Sequence, residues 1–226
     1  CILARYISYN MKNLSRNIYF SIAFILTLSL GRAQSYFYGL CSDGEITGSG
    51  GILRVDSNGN GLSKVYEFEY DVPGSTPEYS DLCLASNNKF YGVTTKGGKS
   101  DCGVLFEFDP VANTYIGKAY FNGINGRNPY GGLTQAANGK LYGTTGLGGL
   151  DNAGVIYEYD INANTLTNIY DFNYAPAGTK GSEPRAKMIL SSNGKLYGTT
   201  TSGGTGNSGV IYELNPSGNT VTKLFD

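Results

Sequence analysis

Residue types that could do chemistry are few in this chain, and most of them recur. Glu107, Glu158 and Glu213 stand at one repeated position, and Asp109 and Asp160 at another. Carboxylates of this kind could protonate a leaving group or activate a water in glycoside hydrolysis. Recurrence points the other way: an acid present in every copy of a repeat serves turn formation or a solvated strand face. The sequence contains no histidine, which removes Ser-His and Cys-His nucleophile pairs, histidine general bases and most zinc sites. No catalytic residue, metal ligand or cofactor is assigned. Asp56 to Gly61 with Glu67 satisfies an EF-hand loop pattern, but no helices flank it and Lys64 interrupts it, so the match reads as accidental.

Polar loops offer a different chemistry. Segments 96–102, 147–153 and 202–208 are rich in Gly, Asn, Asp and Ser, and segments 122–128 and 174–185 connect one repeat to the next. Groups of this kind on a rigid scaffold suit hydrogen bonding to a polyhydroxylated ligand, although glycine-rich turns also form without one. Lys96, Asp101, Arg127, Asp151, Asn152 and Asn207 are the candidate ligand-binding residues.

The elements that must position these loops are repeats. Lys140 to Thr145 (KLYGTT) returns as Lys195 to Thr200, and weaker copies stand at Phe37 to Leu40 and Lys89 to Thr95. The anchor tyrosines Tyr38, Tyr91, Tyr142 and Tyr197 are 53, 51 and 55 residues apart, a period of stacked or radial modules. Twelve residues after each anchor stands a glycine (Gly50, Gly103, Gly154, Gly209), and eighteen after it an Asp or Asn (Asp56, Asp109, Asp160, Asn215). Such constancy forbids insertions between two paired strands. One unit reads as a first strand over 186–192, a two-residue Asn193-Gly194 turn of type I′, a second strand over 195–200 and a Gly-Gly loop. A third strand, a short turn and a fourth strand follow. Asn138-Gly139 repeats the turn, with Asn87-Asn88 as a variant. The fold class is all-β: four-stranded antiparallel sheets, apolar on both faces, packed about 10 Å apart as the blades of a β-propeller. About four repeats are present.

The pattern Leu-Tyr-Gly-Thr-Thr-x-x-Gly-Gly, Gly-Val-Ile-Tyr-Glu and Tyr-Asp-Phe resembles the GloVer tandem repeat of secreted bacterial proteins, and more broadly a kelch-type propeller blade. The resemblance covers residues 35–226. It implies an exported repeat propeller and carries no activity with it. The tryptophan usual in kelch blades is missing, and the first copy lacks the Thr-Thr pair.

Residues 1–10 precede the first methionine, Met11, and read as an upstream segment. Residues 11–34 read as a signal peptide: a short cationic stretch, an apolar run from Ile18 to Gly31 too short to span a bilayer, and Gly31-Arg-Ala33 as cleavage site. Its removal predicts a secreted or surface-displayed protein without stable membrane insertion. Removing residues 1–33 takes four of the seventeen basic residues and none of the eighteen acids, so the mature charge lies near −5. That charge argues against nucleic acid as a partner. Cys41, Cys83 and Cys102 occupy unrelated places in their repeats and read as small residues filling strand positions. Chain 35–226 begins in a second strand and stops in a fourth. The expectation is therefore a fragment of a larger propeller, in which further copies follow Asp226 and a C-terminal strand completes the first blade and closes the ring. A binding or structural module for glycan or protein is the functional reading, with an extracellular hydrolase or lyase using carboxylates or Tyr/Lys on the loop face as the alternative.

Overall fold

A computed structural model describes residues 36–42, 49–69, 74–174 and 181–226, together with the backbone of residues 18–19, 25–27 and 34–35. Residues 1–17, and with them the proposed upstream segment, lie outside the described residues, as does most of the proposed leader. Every named element is a strand. The first sheet comprises β1 (Ile18–Tyr19), β2 (Ile25–Thr27), β3 (Gln34–Cys41), β4 (Gly51–Asp56) and β5 (Ser63–Glu67); the second β6 (Cys83–Leu84), β7 (Phe90–Thr94), β8 (Val104–Asp109) and β9 (Thr114–Tyr120). The third contains β10 (Thr134–Gln135), β11 (Leu141–Thr145), β12 (Val155–Asp160) and β13 (Thr165–Asp171). The fourth contains β14 (Ile189–Leu190), β15 (Leu196–Thr199), β16 (Ile211–Asn215) and β17 (Thr220–Phe225). In the last three sheets the strands pair antiparallel in chain order, as the repeat predicts.

One sequence expectation changes in detail. The Asn-Gly hairpin is not a two-residue type I′ turn, which needs positive φ at both central residues. Gly194 (φ 78°) and Gly139 (φ 80°) have it, while Asn193 and Asn138 do not. Gly194 N–H donates to the Ser191 carbonyl at 2.9 Å and Ser191 N–H to the Lys195 carbonyl at 2.9 Å. This is the three-residue hairpin, a type I turn followed by a left-handed residue. Asparagine is used for its side chain: Asn193 Oδ1 accepts from Lys195 N–H at 3.0 Å and Nδ2 donates to Tyr197 Oη at 2.9 Å. In the second sheet Asn88 (φ 61°) takes the left-handed place. In the first sheet, residues that lie within the proposed leader add pairings to β3. β1 pairs with β3 through Ile18 and Cys41, and β2 pairs with β3 through Ile25 and Tyr36.

Both faces of each sheet are apolar, and the three core clusters each lie between neighbouring sheets. Tyr38, Leu40 and Ile52 of the first sheet meet Phe90, Phe106 and Phe108 of the second. Tyr91, Val93 and Leu105 meet Leu141, Tyr157 and Tyr159. Tyr142 and Ile156 meet Leu196, Tyr212 and Leu214. Each of the three interfaces thus joins the trailing face of one sheet to the leading face of the next. This explains why glycine follows the anchor tyrosine. A side chain on Gly143 would lie 2.3 Å from Tyr157 Oη, and one on Gly198 would lie 2.3 Å from Tyr212 Oη. The cross-strand aromatic ring lies over the bare backbone and fills the leading face. A register shift recurs between Leu105 and Phe106, Ile156 and Tyr157, and Ile211 and Tyr212. Such a bulge deepens the twist of each outer pair at the same level.

The first strands draw together along one line. Thr134 Oγ1 donates to the Met188 carbonyl at 2.5 Å, Ser86 N–H to Gln135 Oε1 at 2.9 Å, and Lys187 Nζ to Asp81 Oδ2 at 2.7 Å. The last bond joins the second and fourth sheets past the third. These short strands therefore line the axis about which the sheets are arranged.

Candidate functional site

The recurring glutamates come first, because they are the carboxylates that hydrolysis would need. Each sits on a trailing face and is held by its own hairpin. Glu158 Oε1 accepts from Lys140 Nζ at 2.7 Å, and Oε2 accepts from Tyr142 Oη at 3.2 Å and from Asn219 Nδ2, on the next sheet, at 3.1 Å. Glu107 takes Lys89 Nζ at 2.8 Å and Tyr91 Oη at 2.5 Å; Glu213 takes Lys195 Nζ at 2.6 Å and Tyr197 Oη at 2.8 Å. Burial works to raise the Glu158 carboxyl, but hydrogen bonds from Lys140 and Asn219 and the Lys140 charge outweigh it, so its pKa falls below the ordinary value. Glu107 shifts the same way by the same balance. A carboxyl held ionised is a poor general acid, which needs the opposite shift. Asp109 and Asp160 cap the following turns, each Oδ1 accepting two backbone N–H groups, as at Ala112 and Ala163 at 3.0 Å.

Isolated bridges tie each crossover to the Gly-Gly loop beside it: Ser75 to Lys96, Arg127 to Leu147 and Ser182 to Ser202. Crossovers and loops therefore share one end of the array, and all six predicted ligand residues stand on it, exposed. Asp101, Asn152 and Asn207 are repeat equivalents with left-handed backbones, φ 49°, 54° and 52°. Their side-chain oxygens accept from Gly97, Gly148 and Gly203 N–H at 2.8, 3.0 and 2.9 Å, so each closes its own loop. Arg127 and Asp101 both act on the Cys102 thiol, whose pKa burial raises against the Arg127 charge. Lys96 and Asp151 belong to successive loops, so the six are spread along the rim of this end.

Nearer the axis the same end gathers groups from three crossovers. Pro77, Pro129 and Pro184 pack against the repeat glycines Gly50, Gly103 and Gly154, and the residues just after each proline turn toward the axis. Tyr79 and Tyr130 meet edge to face with centroids 6.2 Å apart, and the Arg185 guanidinium lies over the Tyr130 ring at 5.3 Å. Tyr79 is 65% exposed although its backbone is left-handed, φ 53°, an uncommon conformation for a bulky residue. Arg185 also pairs with Glu183 at 2.8 Å. A pocket of about 320 Å³ opens here, lined by Tyr79, Arg185, Ala186, Thr199 and Thr201. A side chain on Gly132 would overlap Asp81 Oδ1. Aromatic rings, a guanidinium and hydroxyls around one opening can stack on a ring ligand and hydrogen-bond its edge. Sequence reasoning placed Arg185 within a crossover but missed Tyr79 and Tyr130. Their common signal is a position one or two residues after a recurrent proline.

The repeat, its Gly-Gly loops and its blade order find a counterpart among known families. Residues 25–179 match the family described as the Gloeobacter/Verrucomicrobia repeat. The chain belongs to that family. Comparison with curated proteins finds no match. Among solved structures, the chain is similar to a GH74 enzyme of Niastella koreensis, with a TM-score of 0.57 and 19% identity, covering 84% of this chain and 28% of that one. It is also similar to the extracellular domain of a B. thetaiotaomicron protein named as a one-component system, with a TM-score of 0.55 and 11% identity, covering 94% of this chain and 27% of that one. This chain thus spans little more than a quarter of either. At these identities the likeness is one of fold: the Gloeobacter/Verrucomicrobia repeat forms propeller-type blades, as the sequence period predicts.

Proposed function

We propose that the protein is an exported propeller module that binds carbohydrate at the axial opening formed by Tyr79, Tyr130 and Arg185. The observation that carries this reading is a pocket lined by Tyr79, Arg185, Ala186 and two threonines, with the partly buried Tyr130 ring against both Tyr79 and Arg185. Faces of tyrosine rings take the apolar face of a pyranose, and Arg185 and Lys187 supply donors to hydroxyl or carboxylate substituents. Export is supported by the cationic-apolar leader pattern and by the extracellular origin of one fold neighbour. Among the described residues no helix is long and apolar enough to cross a membrane. Binding is preferred to hydrolysis because each recurrent glutamate is paired with a lysine of its own hairpin rather than presented to the opening. The test is a glycan array followed by calorimetry on the best ligand. Tyr79→Ala and Tyr130→Ala are expected to weaken binding at least tenfold, as loss of one buried aromatic anchor does, with Tm nearly unchanged for Tyr79→Ala. Retained affinity in both variants, or turnover of a glycan abolished by a single acidic substitution, would overturn the proposal.

A further inference from the structure

Asparagine followed by glycine occurs six times in the chain, at Asn58, Asn60, Asn122, Asn125, Asn138 and Asn193. The pair is prone to cyclise, because glycine has no Cβ to keep its amide nitrogen away from the preceding side-chain carbonyl. Five of the six are restrained by hydrogen bonds. At Asn138 and Asn193 the side-chain oxygen accepts from Lys140 N–H at 3.1 Å and Lys195 N–H at 3.0 Å, while Nδ2 donates to Tyr142 Oη at 2.8 Å and Tyr197 Oη at 2.9 Å. The nitrogens that follow, of Gly139 and Gly194, donate to the Ala136 and Ser191 carbonyls at 2.9 Å. Asn122 Oδ1 accepts from Ile124 and Asn125 N–H at 3.0 Å each, and Gly123 N–H donates to the Gly126 carbonyl at 3.0 Å. Asn125 Oδ1 accepts from Asn122 N–H at 2.8 Å and its Nδ2 donates to the Tyr120 carbonyl at 3.1 Å. At Asn58 the Gly59 nitrogen is engaged, donating to the Asp56 carbonyl at 3.0 Å. Asn60-Gly61 is the exception. Neither the Asn60 side chain nor the Gly61 N–H has a hydrogen-bond partner among the described residues, both residues are exposed, and nothing lies within 4 Å of where a Gly61 Cβ would stand. The backbone before them is fixed: Asn60 N–H donates to Asp56 Oδ1 at 2.8 Å, and its carbonyl accepts from Asp56 N–H at 3.0 Å.

We propose that Asn60 is a site of spontaneous deamidation. The Gly61 nitrogen attacks Asn60 Cγ, the new C–N bond closes a cyclic imide, and ammonia leaves carrying the proton that Gly61 gave up. Water then opens the imide at either carbonyl, leaving aspartate or isoaspartate at position 60. One water enters and one ammonia departs, so the step needs no oxidant, metal or second protein. Either product sets a new carboxylate beside Asp56, a charge change confined to this turn. Isoaspartate also routes the main chain through the former side chain and lengthens the link to Gly61 by one carbon, in the turn that holds Arg54 opposite Ser63 and Leu53 opposite Lys64. β4 runs from the crossover end, where Pro77 packs on Gly50, to this turn. The modification therefore falls at the far end of the sheet from the axial opening and stands apart from the carbohydrate reading.

The experiment incubates the full folded chain in mildly alkaline buffer made with heavy-oxygen water, with a parallel sample in urea. Peptide mapping by mass spectrometry then follows all six asparagines over time, and electron-transfer fragmentation separates aspartate from isoaspartate. In the folded chain Asn60 is expected to convert fastest, at least about tenfold faster than Asn138 and Asn193, where retained hydrogen bonds must break before the ring can close. In urea the six rates should converge, since every site is then the same dipeptide in an open chain. Equal rates across the folded chain, or faster conversion at Asn138 or Asn193, would overturn the proposal. So would the folded ranking persisting in urea, because sequence neighbours and not the turn would then set the rate.

Discussion

At the scale of single residues, the chain runs the same side-chain experiment three times with small variations. Tyr157 and Tyr212 lie over Gly143 and Gly198, fully enclosed, and their hydroxyls find no hydrogen-bond partner among the described residues. Burial alone pushes the Tyr157 phenol far above its ordinary pKa. The second sheet places Phe106 at this position, without the hydroxyl. An orphaned buried hydroxyl costs about 1–3 kcal/mol, so Tyr157→Phe is expected to raise stability by about 1 kcal/mol in urea unfolding. A loss instead would mean that the hydroxyl is satisfied. Asp101, Asn152 and Asn207 teach a related lesson: a polar residue in a loop can be fully occupied with its own backbone.

At the scale of the element, the second hairpin of each of the last three blades is fastened by a Lys–Glu–Tyr station, which in the third also reaches the following sheet through Asn219 and Glu158. Glu158 has a lowered pKa in the folded protein. A group depressed in this way adds stability above its unfolded value, 4.5, and that contribution disappears as pH falls through the folded value. Glu158→Gln is therefore expected to cost about 2 kcal/mol at pH 7, the scale of a hydrogen bond to a charged group. Below about pH 4, where unpaired carboxylates are protonated, the difference from the unmodified chain should shrink. Urea melts at pH 7 and at about pH 3 measure both ends; an equal difference at the two would assign the loss to shape rather than to charge.

At the scale of the molecule, sheets in a radial array exchange faces with their neighbours and meet across the axis only through the first strands. Gly132 is where this meeting depends on a missing side chain, because a methyl group there would overlap Asp81 Oδ1. Its φ is not in the left-handed region, so the constraint is contact and not backbone. Gly132→Ala is expected to push Asp81 away from Lys187 and to weaken carbohydrate binding at the opening several-fold. Stability should change by under about 1 kcal/mol, since the Asp81–Lys187 pair is partly exposed at 34% and 39% and such pairs contribute little. Thermal melts and calorimetry on the same preparation separate the two effects; a large fall in Tm would place Gly132 in the core instead.

Strand order and the four repeats were legible in the sequence, because spacing between tyrosine, glycine and aspartate is a one-dimensional record of paired strands. The hairpin type was misread for a local reason: Asn-Gly suits two turn geometries, and asparagine here acts through its side chain on the anchor tyrosine. Tertiary structure alone decided which of two apolar faces leads and which trails, that Glu158 reaches Asn219 of the next sheet, and that Tyr79, Tyr130 and Arg185 converge. Those three stand in different repeats at slightly different offsets from their prolines, and only radial packing, which brings successive crossovers to one axis, turns separate loop residues into a pocket.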